Sequence, residues 1–311
     1  LVIFGAKNSN LMNSSTPDGK GITDALTMTS ITPVRFSILI PTWNNLPYLR
    51  CCIESIRKNS IIAHEIIVHV NDGSDGTLDW VKQQPDLKFN HSASNIGICL
   101  AMNLGRQHAT ADYILYMNDD MYACPGWDTE LMKEIQEIGH TNFLLSGTLI
   151  EPASNNPCTI SKDYGRDVNS FREEELLKNF KDLPMQDWQG TTWPPNIMHK
   201  NTWDMAGGYS IEFSPGFYSD PDLCMKLWLL GIRIFKGVAA SRVYHFGTKS
   251  TGRVVANNGY RQFLRKWGMT PGTFTEYYLK RGKRYDGPLS EPQVPGKIRF
   301  KNFLKKLGQL S

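Results

Sequence analysis

The sequence predicts an α/β protein: a doubly wound, mostly parallel central sheet with helices on both faces, followed by a C-terminal helical extension. Short apolar runs alternate with segments of helical period between Phe36 and Met117, the order that builds parallel βαβ units. Three predicted strands end in the polar loops "WNN", "NDGSDG" and "NDDM", and ligands of such sheets bind beyond the carboxyl ends of the strands. The chain has 311 residues, 41% hydrophobic and 21% charged, enough for one large domain or two ordinary ones with a sizeable core.

Residues 1–34 are rich in Ser, Thr, Asn and Gly without periodicity and are expected to be an extension. "FSILIP" is a β-branched run stopped by proline, hence a buried strand. "LPYLRCCIESIRKN" repeats Leu46, Leu49, Ile53 and Ile56 at helical spacing, with Pro47 suited to a first turn. "EIIVHVN" is a second strand, "LDWVKQQ" a helix, "LKFNH" a third strand, "IGICLAMNLGRQHA" a helix and "DYILYM" a fourth strand. Beyond it, "FLLSGTLIE" reads as a strand, and Ser170 to Glu173 has the spacing of a capping box opening a helix. "TTWPPNIMHKNTWDMAGGY" reads as loop, "DPDLCMKLWLLGI" as an amphipathic helix, and "RIFKG" and "SRVYHFG" as two strand-like runs.

Bulk properties narrow the function. The net charge of +4 is spread along the chain, so no nucleic-acid partner is expected. Six cysteines show no CxxC pair and several lie in apolar runs, which predicts reduced core residues. No apolar run approaches the roughly 20 residues that span a bilayer. Neither a charged n-region nor a cleavage site is visible. A cytoplasmic location is expected, with peripheral contact to the inner face of a membrane as an option.

The chemistry concentrates in "YILYMNDDMY", where an apolar strand runs into Asn118, Asp119 and Asp120. Adjacent carboxylates repel, more so when desolvated, and a divalent metal is the usual reason a chain tolerates them. A helix cap for the following "PGWDTELMKEI" is the plainer reading.

"FSILIPTWNN", "VNDGSDGT", "SNIGICLAMNLG", "DYILYMNDDM", "AGGY" and "SDPDLCMKLWLLG" occur in this order, and from Phe36 to Gly247 the chain resembles the family 2 glycosyltransferases. The resemblance implies a GT-A fold, a nucleoside-diphosphate sugar donor (UDP, GDP or dTDP) and inversion at the anomeric carbon. It implies a nucleotide-sugar-binding half over 35–123, an acceptor-binding half over 124–250 and a helical extension over 251–311. A hard cation, Mn²⁺ or Mg²⁺, would neutralise the leaving diphosphate. Asp120 matches the metal-ligand position, with Asn118 where a first carboxylate often stands and Asp119 beside it. Asp72 matches the carboxylate that meets the nucleotide base, although Asn71 replaces the acid that usually precedes it. Pro41, Thr42, Trp43 and Asn44 form the donor loop, with Trp43 able to stack on the base. Asn95 and Gly97 match an N-x-G whose glycine permits close backbone approach.

The acceptor hydroxyl must lose a proton, and "YSDPDLC" matches the segment of the family's base. Asp220 is thus the expected base, with Asp222 its neighbour and Ser219 in place of the usual Glu. His245 matches a histidine that can ligate the metal or diphosphate, and Lys249 and Arg253 follow it. Gly207 and Gly208 are expected to shape the acceptor side beside Trp188, Trp193 and Trp203. "QFLRKW" resembles the QxxRW motif of processive synthases but has one extra residue, which favours single additions to a glycan or lipid-linked acceptor. A sugar-nucleotidyl transferase and a non-catalytic nucleotide-sugar or glycan-binding module are the alternatives. The tail "PGKIRFKNFLKKLGQL" carries five basic residues and no acid, and Ile298, Phe300, Phe303, Leu304 and Leu307 are expected to supply apolar surface largely on one helical face. Peripheral membrane contact through 297–310, packing on the domain and a partner are its three readings.

Overall fold

A computed structural model of the protein describes residues 35–247 and 257–308. The expected N-terminal extension, together with Lys249 and Arg253, lies outside them. β1 (Phe36–Trp43) is almost wholly buried, as the middle of a parallel sheet covered on both faces requires. It is flanked in parallel by β2 (His64–Asn71) and β4 (Tyr113–Tyr116), with β3 (Leu87–Ser92) outside β2. The crossovers are α1 (Leu46–Asn59), α2 (Thr77–Lys82) and α3 (Gly97–Arg106). Successive β1 side chains serve opposite layers. Ile38 and Ile40 pack with Leu49, Ile53 and Ile56 of α1, whereas Leu39 packs with Cys99 and Met102 of α3.

After β5 (Met121–Ala123) and α4 (Trp127–Ile138), β6 (Phe143–Glu151) pairs in parallel with β7 (Thr159–Ser161), and α5 (Glu173–Asn179) follows. Next come β8 (Trp188–Gln189), β9 (Asn196–His199), α6 (Lys200–Ala206), α7 (Ser219–Leu229) and β10 (Ile234–His245). The described chain closes with α8 (Gly259–Trp267), a single turn α9 (Pro271–Thr273) that runs into a π-helical turn, and α10 (Gly296–Leu307). One sheet runs β3-β2-β1-β4-β9-β6-β10-β5, with β7 beside β6 and β8 beside β10.

The sheet is parallel across β3 to β4 and mixed beyond. β9 inserts antiparallel between β4 and β6, and β5 runs antiparallel to β10. Three sequence expectations need correcting. The "TTWPPNIMHKNTWDMAGGY" segment is not all loop, because it contains β9 and α6. "RIFKG" and "SRVYHFG" are one strand, whose register to β6 shifts between Val238 and Arg242. Ser170 does not cap α5: the N-cap is Arg172, and the Ser170 hydroxyl donates to Asp167 instead. All six cysteines are free thiols, five of them buried.

Candidate active site

At the carboxyl ends of β1 and β4 lies a cavity of about 470 Å³. Pro41, Thr42 and Trp43 from the end of β1 line it, as do Asn118, Asp119 and Asp120 after β4, Asn95 just before α3 and Gly97 at its start, Asp220 from α7 and His245 at the end of β10. Of the residues expected to hold donor or metal or to act as base, all line this one cavity except Asn44 and Asp72. The wall also includes Asn71, Tyr116, Trp193 and Pro215, which the sequence did not single out as donor contacts.

The paired carboxylates are not helix caps, since the N-cap of α4 is Gly126. Asp119 Oδ2 accepts the Thr42 hydroxyl at 2.6 Å. Asp120 Oδ1 lies 3.3 Å from His245 Nε2, and the other ring nitrogen, Nδ1, lies 2.9 Å from Glu151 Oε1. Burial alone would lower the His245 pKa, but the carboxylates of Asp120 and Glu151 hold the imidazolium and raise it to about 10. Among the described residues, no cluster of three or more His, Cys, Asp or Glu side chains is arranged to hold a metal ion. Asp120 and His245 nonetheless fit as two ligands. Their 3.3 Å separation is near the spacing of about 3 Å between neighbouring ligands of an octahedral ion with bonds of about 2.1 Å, and such ions take their other ligands from phosphate and water. With a cation in place of the Nε2 proton, Glu151 on the far side of the ring would keep the remaining proton on Nδ1.

Asp220 stands in the first turn of α7 and is not its cap; that position is Tyr218, held at φ 65°. Desolvation by the surrounding wall raises the Asp220 carboxyl from 3.8 to about 7, against the Tyr209 hydroxyl donated to Oδ1 at 3.0 Å. The "AGGY" motif places that tyrosine. α6 ends at Gly207 in the left-handed region, and Gly208 follows at φ 60°. A Cβ on Gly208 would meet the Asn103 carboxamide at 2.3 Å, the same group that brackets the Tyr209 backbone. Trp203 packs edge-on to Tyr209, and Trp188 is buried and stacks on Trp193. Trp188 and Trp203 are thus core residues, and Trp193 alone of the three lines the cavity. Asp222 is fully buried, held by Trp267 Nε1 at 2.8 Å and Lys266 Nζ at 2.9 Å. Two residues of "QFLRKW" therefore brace the turn that carries Asp220.

Asp72 sits beside the cavity, next to Trp43. Asn44 Nδ2 donates to its Oδ2 at 2.8 Å, and this contact, with Ser74 and Trp43, holds its carboxyl below the usual range. Asn44 and Asp72 both have positive φ, a conformation that Asn and Asp tolerate better than most residues. Asn95 makes a turn, its Oδ1 accepting the Gly97 N–H at 2.9 Å. Gly97 is needed because Pro215 crosses it: a Cβ there would fall 2.6 Å from Pro215 Cα. The close approach occurs within the chain itself, at the floor of the cavity.

The sequence model of the family described as "Glycosyl transferase family 2" matches residues 37–192. The uncharacterized glycosyltransferase YwdF of Bacillus subtilis (strain 168) is 31% identical over 105 residues, 33% of this chain and 39% of that protein. The uncharacterized glycosyltransferase YibD of Escherichia coli (strain K12) is 31% identical over 103 residues, 32% of this chain and 29% of that protein. The matched stretch thus spans well under half of either relative. The structure of S. aureus TarS 1–349 in complex with UDP-GlcNAc superimposes with a TM-score of 0.55 at 14% identity, covering 89% of this chain and 72% of that one. GalNAc-T7 with UDP, GalNAc and Mn²⁺ gives 0.54 at 14% identity, covering 75% of this chain and 48% of that one. At such identities these structures speak for the fold alone, and that fold is the GT-A fold.

Proposed function

The chain belongs to glycosyl transferase family 2, and from that premise we propose that it moves one hexosyl or deoxyhexosyl unit, with inversion, from a nucleoside-diphosphate sugar to a hydroxyl of a glycan or lipid-linked saccharide. The observation that carries this reading is one cavity that joins Asp120 and His245 to a desolvated Asp220. Trp43 offers an aromatic face to the base, with Asp72 beside it as the hydrogen-bonding partner. Mn²⁺ or Mg²⁺, held by Asp120 and His245, would neutralise the charge that grows on the diphosphate as the glycosidic bond breaks. Thr42 fixes Asp119 next to that site.

Asp220 takes the proton of the acceptor hydroxyl while the hydroxyl oxygen bonds to the anomeric carbon. The bond from that carbon to the diphosphate oxygen breaks, and the electron pair leaves with the nucleoside diphosphate. A carboxyl near 7 is well matched to this work at neutral pH, and Tyr209 holds Oδ1 so that the second oxygen serves the acceptor. UDP is the first nucleotide to try, because the TarS and GalNAc-T7 structures contain UDP or a UDP-sugar.

The test is calorimetric binding of UDP, GDP and dTDP, each with Mn²⁺ and with EDTA. Metal-dependent binding of one nucleotide supports the donor site. No binding of any of them under either condition would leave a binding module that has lost its ligand. A nucleotidyl transferase normally has a Gly-rich basic loop after its first strand, and "PTWNN" has none.

A further inference from the structure

α10 is attached to the protein by its polar side. Its one buried residue is Asn302, whose carboxamide pairs with Thr273 Oγ1 at 3.1 Å and accepts the Thr270 N–H at 3.4 Å. Lys305 Nζ reaches the Tyr260 hydroxyl of α8 at 3.3 Å. At 3.6 residues per turn, Phe300, Phe303, Leu304 and Leu307 form a stripe opposite Asn302. They are 61%, 55%, 50% and 47% exposed. Lys297, Arg299 and Lys301 flank the stripe, and α10 contains no acid. Ile298 is half-buried on the Asn302 side, so the sequence expectation that it shares the apolar face is corrected.

Such a face fits a partner that is apolar within and anionic at its surface. A second copy of this chain would set five cations against five more with no acid to pair them. The position of the helix points the same way. The turn that receives Asn302 carries Pro271 and Gly272, which with Phe217 and Pro221 line a second cavity of about 430 Å³. Phe217 also lines the main cavity, and Pro221 follows Asp220. α10 therefore stands beside the side of the molecule from which an acceptor would approach.

We infer that α10 docks this protein on an anionic lipid bilayer, with Phe300, Phe303, Leu304 and Leu307 entering the interface and the flanking Lys and Arg meeting lipid headgroups. The docking stands apart from the transferase reading; the benefit of docking at this place, access to a lipid-carried acceptor, rests on it. The test is co-sedimentation of the full chain with phosphatidylcholine vesicles, with and without phosphatidylglycerol. The wild type is compared with a Phe300→Ser, Phe303→Ser, Leu304→Ser variant and a Lys297→Glu, Lys301→Glu variant. Each substituted side chain points away from the Asn302 contact, so the fold is kept. Binding should require phosphatidylglycerol, weaken as salt rises, and fall by roughly tenfold or more in either variant. Calorimetric UDP binding should be the same in all three proteins, so a failed donor site and a failed membrane site give different patterns. Vesicle binding indifferent to phosphatidylglycerol or to both variants would overturn the inference. So would a wild-type dimer that the serine variant converts to monomer, because the stripe would then be covered by a second copy.

Discussion

Asp220→Asn should abolish transfer and at the same time stabilise the protein above neutral pH. Burial raises the carboxyl from 3.8 to about 7, against the hydroxyl from Tyr209. At about 1.4 kcal/mol per pH unit, a gap of roughly three pH units costs the folded state at most about 4 kcal/mol once the group ionises. One side of the carboxylate faces the cavity and its water, so the expected cost is ~1–3 kcal/mol. The sign follows from which state binds the proton more tightly. Below the unfolded value of 3.8 both states are protonated, and the group contributes nothing. Between there and about 7 the unfolded chain ionises while the folded chain does not, so stability falls. Above about 7 the cost is complete. Asn does not titrate and still accepts the Tyr209 hydroxyl. The stability gap between variant and wild type should therefore open through this window and then level off. Denaturant unfolding at a series of pH values measures it, and nucleotide release in the presence of acceptor should fall roughly 10²–10⁴-fold. A gap independent of pH, or a variant less stable than wild type at pH 8, would refute the desolvated carboxyl; full activity would refute the base.

Tyr209→Phe removes the hydroxyl that opposes desolvation at Asp220, so the acid limb of the kcat/KM profile should move to higher pH; an unmoved limb would show that Tyr209 does not act on the base. Glu151→Gln should weaken Mn²⁺ binding roughly 10–100-fold while UDP binding in EDTA stays constant, and Mn²⁺ titrated by electron paramagnetic resonance reads this directly. Unchanged affinity would show that Glu151 does not orient His245. Asp128 is fully buried and accepts the Ile61 and Ile62 N–H groups, both at 2.8 Å, as well as His64 Nε2. Asp128→Ala should therefore cost about 3 kcal/mol in denaturant unfolding at pH 7. Burial pushes the Asp128 pKa up, but His64 and the two N–H groups prevail and hold it below its ordinary value. The stability it confers is thus present above pH 3.8 and lost as pH falls through the lower folded value, so the gap should narrow in acid.

What the sequence disclosed and what it hid have separate physical causes. β1, β2 and β4 were legible because burial on both faces leaves continuous apolar runs, and the helices between the strands keep their own period. Asp120 and Asp220 were legible because no packing requirement calls for carboxylates there. β9 was not, since "TTWPPN" reads as loop and the strand exists only through pairing with β4 and β6. Ser170 had the capping-box spacing, but a local contact with Asp167 captured its hydroxyl. The amphipathic character of α10 was plain, yet only the Asn302 contact shows which face turns outward.

Glu151 and His245 mark the deeper limit, because strand register brings them together across 94 residues of chain. β5 pairs antiparallel with β10 so that His245 lies opposite Met121, and the Phe246 N–H donates to the Asp120 carbonyl at 3.1 Å. β6 runs parallel to β10 and matches Ile150 to Tyr244, which sets Glu151 beside His245. A slip of one residue in either pairing would turn His245 to the opposite face of the sheet and part it from both carboxylates. The metal-side pair is therefore fixed by the ladders of β5, β6 and β10, and β9, antiparallel to both β4 and β6, joins that half of the sheet to the strand from which Asp119 and Asp120 emerge.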